Sequence, residues 1–510
     1  MKVYDLHSSI VIKLTIMREL LALLVLFSSI YANAEELTLQ QAKKIASQYL
    51  ASAKLEIPVI NDIYCIVCDD ENAGYVIIDR RKVCKRRVIG LSKSKWDNYK
   101  MPPILKDWLQ NIENNNYKSE IRTSSLPISQ TAHSDILPLL TTHWHQNSPY
   151  NDLSPIIADG NVKTVAGCVA IAAAQITYYW HKDNPLFTLK DTPTYIYGGA
   201  PVSLSIPKGS PNRWDLILDQ YTKNESQESR AAVAQLCYVI GTTSYLNYAS
   251  STGGSIRDAA NAMLSQYGLL SEYVPKSKLS YSDWFELLYN NIKNGYPVMC
   301  SGVGDGGHAF VLDGYDSETG LFHFNFGWGG SGDGYYPIDD TEESMGGYFK
   351  EQSVVYDIHP VSKNIVASLN CAYDNSNAFT INVTSTVKNN STLPIRQLFI
   401  YAVSDNSTLE ETVSAIWQGP EIENDGIEHH VSTTLNIDSD KNIVLYLTDE
   451  RKYELAHYSL DVESSVENTT YNKKIKTVYN LFGQKVSSSK KGIYVIDYGT
   501  HKKKIIKRYD

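Results

Sequence analysis

Residues 165–181 read VAGCVAIAAAQITYYWH, a long apolar run of helix-forming residues that a glycine introduces. Glycine ahead of such a run marks a break in the chain, so we expect a buried helix that begins at Cys168. A thiol at that position faces the unsatisfied N–H groups and the positive end of the helix dipole, which favour the thiolate. Cys168 is therefore a candidate nucleophile, although a lone cysteine is more often a small buried hydrophobic residue.

A histidine and an asparagine follow in two glycine-rich strand patterns. His308 stands in GVGDGGHAFVLDGYD (residues 302–316), about 140 residues after Cys168. Asn325 stands in FHFNFGWGGSGDGYY (residues 322–336), where a strand pattern ends in glycines. The order Cys, His, Asn at roughly this spacing is typical of papain-like peptidases. The glycines around both residues favour open backbone that a substrate can approach.

Four motifs resemble the streptopain family of secreted bacterial cysteine endopeptidases, a branch of the papain clan. They are WHQNSPYNDLSP (144–155), GCVAIAAAQITYYWH (167–181), GGHAFVLDGYD (306–316) and NFGWGGSGDGYY (325–336). The resemblance implies a zymogen with Cys168 as nucleophile and His308 as its base. It implies that Gln146 contributes to the oxyanion hole and that Asn325 orients the imidazole. Phe326 stands where the family motif has tryptophan, and Ser301 where streptopain has a glutamine near the cleft.

Further residues are candidates for the substrate cleft. Trp328 can shield the hydrogen bond of the histidine from water, or it can be a core aromatic residue at a turn. Gly307 precedes His308 and Ser301 lies on the preceding strand pattern. Gly254 and Ser255 in NYASSTGGSIR (247–257) can line the cleft, or Ser255 can simply cap a helix.

Composition limits the classes of function. The chain has 510 residues, 43% hydrophobic and 20% charged, which are globular values for three or four domains. A net charge of −9 with no long basic stripe before the last forty residues argues against nucleic acid as a partner. Seven cysteines imply no disulfide framework, and the lone Cys65-x-x-Cys68 lacks the further ligands of a metal site. We expect no metal and no other cofactor.

The N-terminus has the pattern of a signal peptide. Arg18 precedes the apolar run LLALLVLFSSIYANA, which ends in an A-x-A cleavage site at Ala34, and Met17 can be the true start. We therefore expect export through the periplasm to the medium or the outer cell surface. No transmembrane helix is expected after residue 34.

The remaining segments predict the domain organisation. Residues 35–125 combine helical and strand patterns and resemble the inhibitory prodomain of the family, followed by a polar activation linker at 126–136. Activation cleavage is expected between residues 117 and 136. Residues 137–360 form the predicted papain-like α+β peptidase domain, with a helical part and a β part that flank the cleft.

Two all-β segments complete the chain. Regularly spaced short strand patterns in residues 361–465 predict an Ig-like β-sandwich. Residues 466–510 contain FGQKV, KGIYVI and the basic end KKKIIKR, and they resemble the C-terminal sorting domain of the type IX secretion system. A positively charged β-hairpin without a sorting role is the alternative.

The combined interpretation is a secreted cysteine endopeptidase that acts on proteins or peptides, with its own prodomain and the secretion machinery as partners. The same thiol chemistry can serve an amidase or a transglutaminase-like acyl transfer, because fold alone does not set the acyl donor. A catalytically dead papain-like module in a surface adhesin is the alternative from another class.

Overall fold

The computed structural model describes residues 37–52, 54–69, 74–81, 87–114, 133–157, 162–183, 189–197, 200–202, 204–303, 306–338, 350–374, 377–404, 413–417, 420–436, 443–450, 452–460, 477–480, 492–497 and 502–507. The predicted signal peptide and most of the predicted activation linker lie outside these residues.

A large antiparallel sheet organises residues 55–360. Its described strands run in the order β1-β2-β3-β4-β13-β12-β11-β10-β14-β9. Small pairs, β5 with β6 and β7 with β8, lie outside it. The strands are β1 (Leu55–Ile60), β2 (Tyr64–Asp69), β3 (Tyr75–Asp79), β4 (Val88–Ser92), β5 (Ile156–Ile157), β6 (Val162–Lys163), β7 (Tyr195–Tyr197), β8 (Ala200–Val202), β9 (Leu269–Pro275), β10 (Val298–Val303), β11 (Gly307–Asp316), β12 (Leu321–Asn325), β13 (Gly334–Tyr336) and β14 (Lys350–Pro360).

Helices cover both faces of this sheet. In the described part of the chain they are α1 (Leu39–Ala46), α2 (Pro103–Asn114), α3 (Cys168–Tyr179), α4 (Gln227–Thr243), α5 (Ile256–Tyr267) and α6 (Tyr281–Lys293). Short 3-10 segments occupy Trp180–Asp183, Trp214–Leu216, Lys276–Lys278 and Val361–Asn364.

The central part of β11, residues 309–312, is a continuous apolar run because both faces of the strand are covered. Side chains alternate between the two faces of a strand. Ala309 and Val311 pack in the core formed with α3, α4 and α5. Phe310 and Leu312 pack in the opposite core, formed with α2 and α6. Because both faces of this part of the strand are buried, apolar residues occupy the positions that point to either face.

The predicted prodomain extends the peptidase sheet. Strands β1–β4 join it through the pairing of β4 with β13, where Leu91 faces Tyr335. On β2, Cys65 and Cys68 belong to cores on opposite faces of the strand. Their side chains therefore point away from each other, an orientation that does not suit a disulfide or a shared metal ion.

Residues 133–136, the last part of the predicted linker, contact the domain predicted to begin at residue 137. His133 Nε2 lies 3.2 Å from Glu286 Oε1, and Asp135 accepts a hydrogen bond of 2.8 Å from the N–H of Ser317. Ile136 forms a β-bridge with Tyr315. Residues 133–136, predicted as linker, are therefore anchored to the peptidase domain.

Two further sheets follow residue 361 and share one apolar core. One has the order β15-β16-β19 and the other β18-β17-β20-β21. Their strands are β15 (Ile365–Asp374), β16 (Asn377–Asn389), β17 (Leu398–Ser404), β18 (Val413–Trp417), β19 (Glu428–Asn436), β20 (Ile443–Asp449) and β21 (Glu454–Leu460). The Ig-like assignment of this two-sheet unit stays a prediction.

The C-terminal segment contains a small antiparallel sheet in the order β22-β23-β24. Its described strands are β22 (Thr477–Asn480), β23 (Gly492–Asp497) and β24 (Lys502–Lys507). None of the helices in the described part of the chain is long and apolar enough to cross a bilayer.

Candidate active site

Cys168 lies at the first position of α3, as the sequence predicts. Gly167 precedes it with φ +92°, a conformation that side-chain-bearing residues rarely adopt. A Cβ at Gly167 would also lie 2.8 Å from Thr252 Cγ2. Two constraints thus require glycine at the point where the chain turns into the helix. The thiol is half-buried.

His308 is the partner of Cys168. Helix α3 packs on β11, and this packing brings the imidazole of His308 close enough to the thiol of Cys168 to change its pKa. Burial raises the pKa of the Cys168 thiol, but the charge of His308, with backbone N–H groups of Ala309 and Val169, outweighs burial and holds that pKa below its ordinary value. Burial lowers the pKa of His308, yet Cys168 and the Phe326 carbonyl raise it above its ordinary value. These opposite shifts favour a thiolate–imidazolium pair.

The imidazole of His308 is oriented by a backbone carbonyl. Its Nε2–H donates to the carbonyl oxygen of Phe326 at 3.0 Å. A carbonyl can only accept, so this bond fixes the proton on Nε2 and leaves Nδ1 for Cys168. The ring of Trp328 has its centroid 6.4 Å from that of His308, and Trp328 is half-buried. Its position fits the predicted apolar shield.

The role predicted for Asn325 is corrected by its hydrogen bonds. Its Nδ2 donates to the carbonyl of Thr142 at 2.8 Å, and its Oδ1 accepts from Gln175 Nε2 at 3.0 Å and from the N–H of Gly327 at 3.1 Å. Asn325 therefore supports the backbone around Phe326 rather than bonding His308. The side chain of Asn325 points into the buried side of the strand end. The carbonyl of the next residue, Phe326, is therefore the group that reaches the imidazole.

Gln175 belongs to this network, and sequence reasoning missed it. It is fully buried on α3, and its Oε1 accepts a hydrogen bond of 2.8 Å from Thr142 Oγ1. A glutamine seven residues after Cys168, on the same side of an otherwise apolar helix, is the signal that could have found it. Buried polar side chains of this kind have hydrogen-bond partners.

Gln146 lies beside the turn that leads to Cys168. Its carbonyl accepts a hydrogen bond of 2.9 Å from the N–H of Ala166. Its side chain is half-buried. Next to it, the N–H of Gly329 donates to the carbonyl of Trp144 at 2.8 Å. The segment therefore runs between the turn before Cys168 and residues 326–333, the glycine loop that contains Trp328.

The structure places the other predicted cleft residues in different environments, some open and some packed. A Cβ at Gly307 would have nothing within 4 Å, so open space lies beside His308. Ser301 pairs with Ala309, but its hydroxyl lies 2.8 Å from that of Ser353. Ser255 caps α5, with its Oγ accepting from the N–H of Arg257 at 3.1 Å. Gly254 packs under Leu246, whose Cδ2 would lie 2.2 Å from a Cβ there. Close packing thus explains the glycine at position 254, and the helix cap explains the serine at position 255, without a role in the cleft.

Asp333 and His143 lie behind the glycine loop and were also missed. Asp333 is 8% exposed, and its Oδ1 accepts a hydrogen bond of 2.8 Å from the N–H of Phe326. Its Oδ2 lies 3.5 Å from Nδ1 of the half-exposed His143. The interaction with Asp333 raises the pKa of His143, although burial opposes the shift. Neither residue has a distinctive sequence pattern.

The other described cysteines provide a contrast. Burial raises the pKa of Cys65 to about 11 and those of Cys68 and Cys371 to about 12, and it raises those of Cys237 and Cys300 strongly. Within the described ranges, no group of three or more His, Cys, Asp and Glu side chains is arranged to hold a metal ion. The arrangement at Cys168 can supply a nucleophilic thiolate with an adjacent proton donor.

Comparisons with known proteins agree with this geometry. Residues 144–336 match the family model described as Peptidase C10 family. Streptopain of Streptococcus pyogenes is 28% identical over 281 residues, covering 50% of this chain and 70% of streptopain. The thiol protease/hemagglutinin PrtT of Porphyromonas gingivalis is 28% identical over 308 residues, covering 54% of this chain and 34% of PrtT.

A solved structure extends the similarity to the fold. A fragment of prointerpain A from Prevotella intermedia is 26% identical with a TM-score of 0.51, covering 60% of this chain and 98% of that fragment. The large antiparallel sheet with helices on both faces is thus the fold of a known peptidase precursor. With the Cys168–His308 pair, these similarities indicate a cysteine-type peptidase whose residues 144–336 match the Peptidase C10 family model.

Proposed function

We propose that the chain is an endopeptidase in which Cys168 attacks the peptide carbonyl and His308 moves the proton. The thiolate forms a thioester while the imidazolium protonates the leaving amine. Water then attacks the thioester with His308 as base, which regenerates the pair. The substrates are proteins or peptides.

The oxyanion is stabilised by donors near the nucleophile. We assign this role to the side-chain amide of Gln146 and the backbone N–H of Cys168. Each donor is worth about 3 kcal/mol in comparable sites. The hydrogen bond between the Gln146 carbonyl and Ala166 N–H supports the assignment, because it holds Gln146 beside the turn before Cys168.

The single observation that carries the proposal is the placement of Cys168 at the start of α3 beside His308 on β11, with the pKa of the thiol lowered and that of the imidazole raised. The test is hydrolysis of casein and of a fluorogenic peptide by processed enzyme. Cys168→Ala should abolish turnover, and His308→Ala should do nearly the same because the two residues act as a unit. Retained turnover in Cys168→Ala contradicts the proposal, and amine incorporation faster than hydrolysis would favour acyl transfer.

The prodomain is proposed to keep the enzyme latent through the glycine loop rather than through the thiol. Ser331 Oγ donates to the carbonyl of Lys100 at 2.8 Å, and the N–H of Gly332 donates to Ser94 Oγ at 3.1 Å. The Tyr75 and Tyr336 hydroxyls lie 2.7 Å apart. These contacts support latency because the same loop begins at Phe326, whose carbonyl bonds His308.

Cleavage in the linker is expected to release this restraint. Within the predicted 117–136 window, the contacts of His133 and Asp135 with the following domain support cleavage before His133. The chain that begins at Glu35 should hydrolyse a small peptide slowly, and cleavage in that window should raise the rate. Equal rates before and after processing would remove the zymogen proposal, while leaving the Cys168 mechanism untouched.

Export and sorting remain proposals from the two termini. The signal-peptide pattern directs the chain to the periplasm, and residues 466–510 direct it onward through the type IX machinery. The β22–β24 sheet contains none of the proposed catalytic side chains. Deleting residues 466–510 should leave active enzyme in the periplasm of the native host, measured by fractionation and an activity assay. Unaltered export would exclude the sorting role.

A further inference from the structure

Residue 326 connects two hydrogen bonds that meet at the active site. The N–H of Phe326 donates to Asp333 Oδ1 at 2.8 Å, and the carbonyl of Phe326 accepts from His308 Nε2–H at 3.0 Å. The side chain of Phe326 is buried at 3% exposure. Both polar groups of this residue are thus committed, one to a carboxylate and the other to the imidazole. A shift of Phe326 at one end must move the acceptor at the other.

Asp333 is placed to make that anchor strong. It lies beyond a run of glycines with positive φ, at Gly327, Gly329, Gly330 and Gly332. Glycine in such a run leaves the backbone little intrinsic stiffness. Its carboxylate therefore closes the loop onto the segment where it starts, and a hydrogen bond to an ionised acceptor is stronger than one to a neutral acceptor.

The second carboxylate oxygen of Asp333, Oδ2, faces His143 instead of Phe326. Asp333 Oδ2 is buried and has no hydrogen-bond donor among the residues the structure describes. His143 Nδ1 at 3.5 Å is the cation that can compensate its charge. The charged groups that act on His143 are Asp333, Asp219 and Asp313. His323, bonded to Asp313 at 2.7 Å, adds a further titratable group behind the loop.

We propose that Asp333 is a positioning residue for the Cys168–His308 pair: its carboxylate holds Phe326 so that the Phe326 carbonyl keeps the His308 imidazole oriented with its proton on Nε2. This inference rests on the proposed role of His308. Without the anchor, the carbonyl can turn away and the imidazolium loses its acceptor. The thiolate is then less stabilised, because its partner cation is less stabilised.

The test compares variants of the processed enzyme, from which prodomain contacts are absent. Asp333→Ala removes the acceptor, and Asp333→Asn keeps a side-chain oxygen for the N–H of Phe326. Loss of a residue that orients a metal-bound histidine lowers activity by roughly 10-fold to 100-fold, and we take that range for a residue that orients His308 through Phe326. We expect Asp333→Ala to lower kcat by about 10-fold to 100-fold with KM nearly unchanged. Asp333→Asn should restore most of the rate.

A readout that a purely structural role would not move is the pH dependence of Cys168 alkylation by iodoacetamide. Its midpoint should rise in Asp333→Ala and stay near the parent value in Asp333→Asn. Ser331→Ala is the matched control, since Ser331 lies in the same loop and its hydroxyl donates to the carbonyl of Lys100 in the proposed prodomain. If Asp333→Ala does not fold, Asp333→Ser replaces it, because a serine hydroxyl is too short to reach Phe326 N–H.

The outcomes separate this inference from the proposed function. An unchanged alkylation midpoint and kcat in folded Asp333→Ala or Asp333→Ser would overturn it, as would an equal loss in Ser331→Ala. A loss in Asp333→Asn as large as in Asp333→Ala would also overturn it, because charge rather than the anchor would then matter. Turnover retained in His308→Ala contradicts the proposed function itself, whereas an inactive His308→Ala with unaffected Asp333 variants contradicts only the positioning role.

Discussion

At the scale of single residues, the site shows how burial and pairing compete. The described cysteines share a buried or half-buried environment, which raises the pKa of a thiol. Only for Cys168, among these described thiols, do a neighbouring imidazole and two backbone N–H groups reverse that effect. The helix start and the Cys–His spacing were predictable from sequence, since both depend on local pattern. The identity of the imidazole's acceptor was not, because Asn325 and the Phe326 carbonyl are adjacent and only the strand register decides between them.

We predict selective alkylation of Cys168. Iodoacetamide at pH 6 should modify Cys168 and leave Cys65, Cys237, Cys300 and Cys371 unmodified, because burial raises the pKa of those four thiols. Peptide mass spectrometry of the folded protein measures the sites. The lowered Cys168 pKa means that reactivity persists below the ordinary thiol value of about 8.5 and disappears only as pH falls through the lowered value.

The same reasoning predicts how the Cys168–His308 pair behaves as pH rises. The raised pKa of His308 keeps the imidazolium at pH values above its ordinary midpoint of about 6.5, and it is lost as pH rises through the raised value. His308→Ala removes the cation while burial remains, so the alkylation midpoint should move upward. A midpoint that is the same in both proteins would show that His308 does not stabilise the thiolate.

At the scale of elements, each group of the proposed active site lies where an element begins or ends. Cys168 starts α3, His308 lies at the start of β11, and Phe326 follows the end of β12. Sequence patterns predicted these elements well, because glycines and apolar runs mark their ends. The sequence patterns did not predict the roles of Gln175 and Asp333. Gln175 bonds a residue 150 positions away along the chain, and Asp333 bonds Phe326 across the glycine loop.

Ser255 gives a prediction that separates a helix cap from a substrate contact. Ser255→Ala removes the hydrogen bond to the N–H of Arg257 at the start of α5. The free energy of unfolding should fall by about 1 kcal/mol, with kcat/KM on peptides unchanged. Chemical denaturation and peptide hydrolysis measure the two effects. A large loss of kcat/KM with unchanged stability would restore Ser255 to the cleft.

Tyr75 gives a prediction for the prodomain. Tyr75→Phe removes the hydroxyl that contacts Tyr336 across the boundary with the peptidase domain. The precursor should then show higher residual activity and faster processing, while the processed enzyme is unaffected. Tyr64→Phe is the control, because Tyr64 donates within the prodomain to Glu113 at 2.9 Å. Equal effects of both substitutions would mean that prodomain stability, not the boundary contact, sets the rate.

At the scale of the whole molecule, the two-sheet unit is fastened to the peptidase domain. The N–H of Val361 donates to the carbonyl of Gly268 at 3.1 Å, just after β14. Tyr453, from the turn between β20 and β21, is 1% exposed and packs against Gly268. Sequence texture predicted the order of these units. It could not predict their junction, because nothing in the local pattern of Tyr453 distinguishes an interface residue from a core residue.

Gly268 tests this junction. It ends α5 with φ +57°, and a Cβ there would lie 2.1 Å from the ring of Tyr453. Gly268→Ala should lower the free energy of unfolding by about 1–2 kcal/mol because alanine disfavours the left-handed backbone. The clash with Tyr453 should lower it by about 1–3 kcal/mol more. Gly209→Ala is the matched control, since Gly209 has φ +86° and nothing within 4 Å of its Cβ position. Equal losses of unfolding free energy would show that the junction contributes no measurable stability.

The most direct measurement of the central claim is covalent labelling by a peptidyl epoxide such as E-64, followed by peptide mass spectrometry of the processed enzyme. The account predicts one adduct, on the peptide that contains Cys168, with loss of hydrolysis in proportion to labelling. It predicts no adduct at that peptide in Cys168→Ala and much slower labelling in His308→Ala. Complete inactivation with the adduct on another cysteine, or full activity after stoichiometric labelling of Cys168, would contradict the account.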